Sequence, residues 1–550
     1  MSNNTLTDHV DGVAGLKKRK MSVMGIVFML YCLTAAGAFG IEEMIPNCGP
    51  GMTILILVAL PIVWVLPICL AVGELSAYMP DENGLYVWTR KAFGEMWGFC
   101  MGWWCALSIY LGMAAYVVLV VGYVQKFIAL SPFAAMAIKV GMILLFTFIN
   151  LLGVKEVSIV STIFSIIILA AFALVTVVGF ANWNYNPMEP MIPEGQSVLD
   201  SLGIGICIGI WMYCGYGVIS SIAGEISNPE VIPKGLKLCI PIIALSYILP
   251  TLAGVASLGQ WDNWGIGGDA GVDYASVLTQ NLGTAWGVVF LICAIIAQCA
   301  IFNSYIAAGS RSFFVLGDDN LSPKFMTKLS KKRKVPYWPI LILAAITLLL
   351  CNLEFSILLT IIAPLGIICY VVLGFVFIKF RKTDPVSTRG DVYCVKGGKF
   401  TELYIAVCPI IIGIIALYVN GTEYFLIGFV SILSGILFYV ICKWAFGGMS
   451  KIDPANYPLN DRTKLAKGDI ERMGIFFTLF AILLFVGSLF LAWYEGAWGE
   501  DYYAAVYGSG LMSNFWLMIK VARYGGIIMF LFGIVLYFIG KKVDPIPAKD

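Results

Sequence analysis

The sequence predicts an all-α polytopic membrane protein of about fourteen transmembrane helices, built as two inverted halves whose first helices are interrupted. Composition is the first observation behind this. Of 550 residues, 60% are hydrophobic and 12% charged, where a soluble domain carries about 25% charged residues, and the mean hydropathy is +0.89. The second is that apolar runs of about 20 residues recur from end to end, whereas a transmembrane barrel would show shorter alternating segments. The third is a pair of glycine-rich, acid-flanked interruptions at corresponding depths of the first and sixth runs.

In chain order, residues 1–20 form a polar tail that ends in Lys17-Lys18-Arg19-Lys20 and contains the only histidine, His9. The run that follows is too long for the apolar core of a cleaved signal, so it is expected to remain as a helix. Apolar runs then fall at 21–46, 52–79, 92–122, 133–154 and 156–180, a first repeat over 21–180. A second repeat over 202–380 holds 202–226, 236–258, 284–310, 337–354 and 356–379. Spans 11 and 12 occupy 403–446, a polar loop 447–472, spans 13 and 14 the segment 473–540, and a polar tail 541–550.

Fourteen crossings place both termini on one side, and the basic residues agree. All Lys and Arg except Lys126, Lys139, Lys520 and Arg523 then lie on the N-terminal side, while the opposite loops carry Glu189, Glu194, Asp200, Asp262, Asp269 and Asp273. The positive-inside rule therefore predicts cytoplasmic termini in a cell membrane.

The interruptions give the architecture its direction. Ala38-Phe39-Gly40-Ile41 in span 1 matches Gly215-Tyr216-Gly217-Val218 in span 6 as small, aromatic, Gly, β-branched. Five spans separate them, so the two helices run in opposite directions, which is the sequence pointer to an inverted-repeat transporter. If both unwind, free N–H and carbonyl groups face the gap and a zwitterion fits it. A carboxylate would sit at the half-helix beginning near Ile41, and an ammonium at the carbonyl ends.

The expected substrate-binding residues are Ala36, Gly37, Ala38, Phe39, Gly40 and Ile41 in span 1, Trp211, Tyr213, Cys214, Gly215, Tyr216 and Gly217 in span 6, and Asn303 in span 8. Small residues let a ligand reach the main chain, and aromatic rings can cap it. Glycines in membrane helices also serve close packing, and polar residues such as Asn303 and Ser304 also join helices. Glu42, Glu43 and Glu225 are the candidates for binding a proton or cation. Because adjacent helical residues point about 100° apart, one of Glu42 and Glu43 at most is expected to face the cavity. Glu74 reads as a structural acid that pairs or caps, and Glu225 as one half of an ion pair.

At these residues the chain resembles the amino acid-polyamine-organocation permeases. The matching stretches are Gly37-Ala38-Phe39-Gly40-Ile41-Glu42-Glu43, Glu74-Leu75 with Pro80, Asn83-Gly84 and Ala92-Phe93-Gly94, Ala223-Gly224-Glu225 with Asn228-Pro229 and Pro233-Lys234, and Ser310-Arg311 with Leu321-Ser322-Pro323. The first two look most similar to the polyamine-uptake and L-type amino acid branch. The resemblance implies a leucine-transporter-like fold of five plus five inverted helices with two further helices, and here spans 13 and 14 in addition. It also implies that Trp211 matches a gating tryptophan of arginine-agmatine antiporters. Gly217 stands where relatives with cationic substrates often place an acid, and Ile168 about where proton-coupled relatives can have a lysine.

The function expected is a permease moving amino acids or related amines by alternating access, as symporter or antiporter. Polyamine uptake, amine exchange and a non-transporting nutrient sensor are the alternatives on the same scaffold. No catalytic residue, metal or cofactor is expected. The 15 cysteines lie mostly in apolar runs without paired spacing, and a membrane transferase usually needs a clustered histidine-aspartate or acidic constellation at the membrane surface, whereas this chain has one histidine, in its tail. No pore-lining filter motif suggests a channel. The expected partners are a small solute, a coupling proton and the lipid bilayer, and a net charge of +2 gives no sign of nucleic acid.

Overall fold

The computed structural model describes residues 12–35, 37–125, 128–265, 271–353 and 355–547. Among them the regular structure is helical, and twelve helices are long and apolar enough to cross a membrane. Two shorter apolar helices, Val23–Thr34 and Tyr337–Leu350, fall in the predicted spans 1 and 9. Each predicted run thus contains a helix. Spans 9 and 10 separate at a turn after Leu350, and Glu354, which marks that junction in the sequence, lies outside the described residues.

Span 1 begins at Val23, where the Ser22 hydroxyl accepts from Gly25 N–H at 3.0 Å and satisfies one of the free donors of the first turn. It stops at Thr34 and resumes as a 3₁₀ turn, Ile41–Glu43, followed by the helix Met44–Cys48. Span 6 runs as Val198–Met212 and continues after a gap as a 3₁₀ segment, Tyr216–Glu225. Span 2 (Pro50–Tyr78) contains a π-helical turn at Pro61–Val65, where the proline cannot donate to the preceding turn. Spans 8 (Thr284–Asp318) and 10 (Phe355–Thr383) both lie against span 3 (Glu95–Gln125) beside the two gaps.

Span 14 is longer than its apolar run, Phe515–Val543 against 524–540. Its first turns contain Lys520 and Arg523 and so do not read as membrane sequence, yet the helix continues through them. Gly526, Gly533 and Gly540 recur every seven residues on one face. Without side chains they bring span 14 against the main chain of Phe485, Thr478 and Glu471 in span 13, the close approach small residues give membrane helices.

On the N-terminal side, buried ion pairs tie the helix ends together. Glu74 meets Arg389 at 2.8 Å and Arg381 at 2.5 Å, Glu95 meets Lys443 at 2.6 Å, and Arg90 meets Asp319. Glu225 meets Arg311 at 2.7 Å. Main-chain bonds from Arg19 N–H to Glu225 O (2.8 Å) and from Ser227 N–H to Arg19 O (2.9 Å) hold the N-terminal segment across the end of span 6. That side of the bundle is closed.

Candidate functional site

Two glycines decide how the broken helices restart. Gly40 has φ 109° and ψ −20°, and Gly215 has φ 119° and ψ −21°; each precedes a 3₁₀ turn. This left-handed geometry favours glycine. The two halves therefore correspond as Gly40-Ile41 with Gly215-Tyr216. That corrects the sequence alignment by two residues, because the small-aromatic-Gly pattern paired Gly40 with Gly217, whereas backbone angle sets the restart.

The two breaks also face each other. A Cβ on Gly215 would lie 2.3 Å from the Leu33 carbonyl oxygen and 2.9 Å from Thr34 Cα, at the end of the first half of span 1. A Cβ on Gly40 would lie 3.0 Å from the Trp211 ring and 3.1 Å from Met212 Sδ, at the end of the first half of span 6. Each restart glycine packs on the other helix's last turn.

A cavity of about 390 Å³ adjoins both breaks and extends to Asn420, beyond the end of span 11 on the side opposite the N-terminus. Of the residues singled out in the sequence, Phe39, Gly40, Glu43, Trp211 and Cys214 line it. Ala36 lies outside the described residues. Gly37, Ala38, Ile41, Gly215, Tyr216 and Gly217 shape the breaks without lining the cavity. Tyr213 turns away and donates from its hydroxyl to Leu57 O at 3.0 Å. Asn303 is buried and accepts from Asn150 Nδ2 at 3.0 Å, joining spans 4 and 8. Glu225 lies with Arg311 on the closed side.

Glu42 and Glu43 separate as helical geometry requires. Glu43 lines the cavity and is its sole charged residue among the described residues. Glu42 is buried, and its Oε2 accepts from Gly40 N–H at 2.9 Å. The donor set aside in the sequence reading for a substrate carboxylate is thus occupied by the protein's own carboxylate. The matching position in span 6 is filled as well: the Tyr370 hydroxyl accepts from Gly215 N–H (3.2 Å) and Gly217 N–H (3.3 Å). Among the described residues, two side-chain groups at the cavity are unpaired. Thr34 Oγ1 and Tyr123 OH, both on residues lining the cavity, are buried without a hydrogen-bond partner in the protein. Tyr116, Tyr305 and Tyr424 add aromatic surface. These rings were missed because a tyrosine inside an apolar run reads as packing, and only the closed bundle shows which ring faces a void.

A sequence model for amino acid permeases matches residues 22–442. The chain belongs to the amino acid permease family. A probable polyamine transporter of Arabidopsis thaliana is 28% identical to the permease over 383 residues, covering 68% of this chain and 74% of the relative. The branched-chain amino acid permease of Bacillus subtilis is 26% identical over 335 residues, 56% of this chain and 67% of the relative. The crystal structure of MhsT in complex with L-phenylalanine superposes with a TM-score of 0.52 at 14% identity, over 75% of this chain and all of that one. At that identity the likeness carries the fold alone, and it is the leucine-transporter-like fold expected from the sequence. The permease is a transporter by family.

Tyr370 gives the permease a direct test of how the span 6 break is held. Tyr370→Phe leaves the ring and removes the acceptor from two N–H groups. Each buried donor left without a partner costs about 1–3 kcal/mol. The expected result is a clearly lower thermal unfolding midpoint in detergent; an unchanged midpoint would mean that water serves these donors equally well.

Proposed function

We propose that the permease binds an amino acid or related amine in the cavity between the two breaks, with the amino group at Glu43, and moves it by alternating access. The observation that carries this is the charge of the cavity: one carboxylate, no lysine, arginine or histidine among the described lining residues, and several aromatic rings. Such walls suit an ammonium group, through a charge-assisted hydrogen bond and cation–π attraction. They offer nothing of opposite sign to a carboxylate. Of the restart donors that usually take an anion, the Gly40 N–H is held by Glu42 and the Gly215 and Gly217 N–H groups by Tyr370, so the amine end supplies most of the recognition. Trp211, at the end of the first half of span 6, is placed to cover the bound solute.

The same reading assigns 21–180 and 202–380 as the inverted repeats, with 403–446 as spans 11 and 12 and 473–540 as the added pair. From the distribution of basic residues it assigns both termini to the cytoplasmic face of the cell membrane. It gives the protein no catalytic role.

Uptake of labelled amino acids and diamines into proteoliposomes tests the proposal, and saturable flux is expected. Glu43→Gln should lower the specificity constant about 10- to 100-fold, the loss of one charge-assisted hydrogen bond of about 1.5–3 kcal/mol. Glu42→Gln keeps an acceptor for Gly40 and should change it far less. The methyl ester of a transported amino acid should compete at least as well as the free acid. Full activity in Glu43→Gln, or failure of every ester to compete, would remove the amine-end assignment.

A further inference from the structure

Away from the cavity, on the closed side, one acid lacks the partners its burial demands. Glu82, in the loop between span 2 and the helix Gly84–Phe93, is 2% exposed. Its carboxylate accepts no hydrogen bond of good geometry, and the polar groups beside it are the Gly224 N–H and the Glu225 carboxyl. Arg311 Nε lies 3.7 Å from Glu82 Oε1, but that guanidinium is committed elsewhere. Its Nε and Nη2 donate to Glu225 Oε1 at 2.8 and 2.7 Å, and its Nη1 to Ala307 O and Ser310 Oγ. The Glu225 carboxyl faces Glu82 from the 3₁₀ segment 216–225, and a Cβ on Gly224 would lie 2.8 Å from Glu82 Oε2. The neighbouring charges on the loop and the following helix, Asp81 and Lys91, pair with each other at 2.7 Å in a more exposed position.

Two carboxylates and one guanidinium make a buried group of net charge −1. An ion buried without full compensation costs several kcal/mol, and two carboxyl groups can bond to each other only when one of them carries a proton. The arrangement is therefore consistent with one bound proton, and the group with the weaker donors is Glu82, which has only the Gly224 N–H beside it and Arg311 at 3.7 Å, whereas Glu225 takes two short bonds from Arg311. Burial, and after it the charge of Glu225, push the Glu82 carboxyl well above the usual carboxylate range, with Arg311 acting in the opposite direction.

We propose that Glu82, Glu225 and Arg311 form a proton-binding latch: Glu82 holds a proton while the N-terminal side is shut, and releases it to water on that side when the segment 216–225 moves away. The inference rests on the alternating-access reading above for its cycle, though the site itself is defined by the closed structure. It makes the proton a participant at a position separate from the solute, on the element that restarts span 6. Solute and proton are then linked through one moving segment, Tyr216–Glu225, whose first residue adjoins the break and whose last residue touches Arg311.

The sign follows from linkage. The closed state binds one proton more than the open state between the ordinary carboxylate pKa and the raised one, so over that window closure weakens by a factor of about ten per pH unit as pH rises. Amide hydrogen exchange of the full-length protein in lipid nanodiscs, corrected for intrinsic rates, reads this without any solute. Peptides covering 79–85 and 216–227 should lose protection with rising pH relative to peptides from spans 13 and 14. In Glu82→Gln, which mimics the protonated form, their protection should be high and independent of pH. Infrared spectra should show a protonated-carboxyl band in the wild type at mildly acidic pH that Glu82→Gln lacks. Equal pH dependence in all peptides, pH-dependent protection surviving in Glu82→Gln, or a wild type without that band would overturn the latch. Should Glu82→Gln fail to fold, the wild-type exchange profile and band decide alone. pH-dependent protection in a wild type that moves no solute would support the latch while overturning the transport reading.

Discussion

Gly215→Ala is expected to abolish uptake while Gly217→Ala leaves a measurable fraction, although the two glycines stand two residues apart in the same break. At Gly215 the added Cβ meets main chain, the Leu33 carbonyl oxygen at 2.3 Å and Thr34 Cα at 2.9 Å, on a backbone with φ 119°. Neither obstacle is the flexible end of a side chain. The left-handed conformation costs a non-glycine residue about 1–2 kcal/mol, and overpacking a close contact costs about 1–3 kcal/mol more. Relief requires the halves of spans 1 and 6 to part, which dismantles the wall of the cavity. At Gly217 the obstacle is the Tyr370 ring, 2.9 Å away, and a ring can tilt at the expense of its bonds to the two N–H groups. Initial uptake rates in proteoliposomes, normalised to folded protein, check the contrast. Equal activity in the two variants would mean that the breaks do not depend on mutual contact.

That contrast also marks how far the sequence could be read. The breaks were legible because glycines and adjacent carboxylates interrupt runs that should be uniformly apolar, and membrane burial makes such interruptions expensive. Their register was not, since composition paired Gly40 with Gly217 while the positive φ that matters belongs to Gly215. The fold was legible for the same reason as the spans, with span 14 cut short only where Lys520 and Arg523 made its start look like loop. Glu74 read as a structural acid, and it has two arginine partners. Asn303 read as a candidate ligand, yet its side chain joins two helices, a role sequence alone cannot separate from binding. Tyr370 and Glu82 gave no signal: one is an aromatic residue inside an apolar run, the other an acid in a polar loop. Their importance arises from chain segments more than a hundred residues away, which only tertiary structure brings together.

Glu74→Ala is expected to be the most destabilising single change on the closed side, and to act without touching the cavity. The Glu74 side chain is fully buried. It takes the Arg389 guanidinium at 2.8 Å, itself fully buried, the mostly buried Arg381 at 2.5 Å, and the Val395 N–H at 2.8 Å. One carboxylate therefore ties the end of span 2 to the end of span 10 and to two points of the following loop. Removing it strands two guanidinium groups in a site with little water, and breaking a buried pair from one side costs about 3–5 kcal/mol. Glu74→Gln keeps the shape and one acceptor oxygen but loses the charge, so its cost should be smaller and should fall mainly on Arg389. Thermal unfolding of the purified protein checks both, with Ala below Gln below wild type. Because Glu74 does not line the cavity, solute affinity in the fraction that stays folded should match the wild type. A variant with normal stability and altered affinity would instead place Glu74 on the path of transport, and would show that the ion pairs of the closed side are not only fastenings.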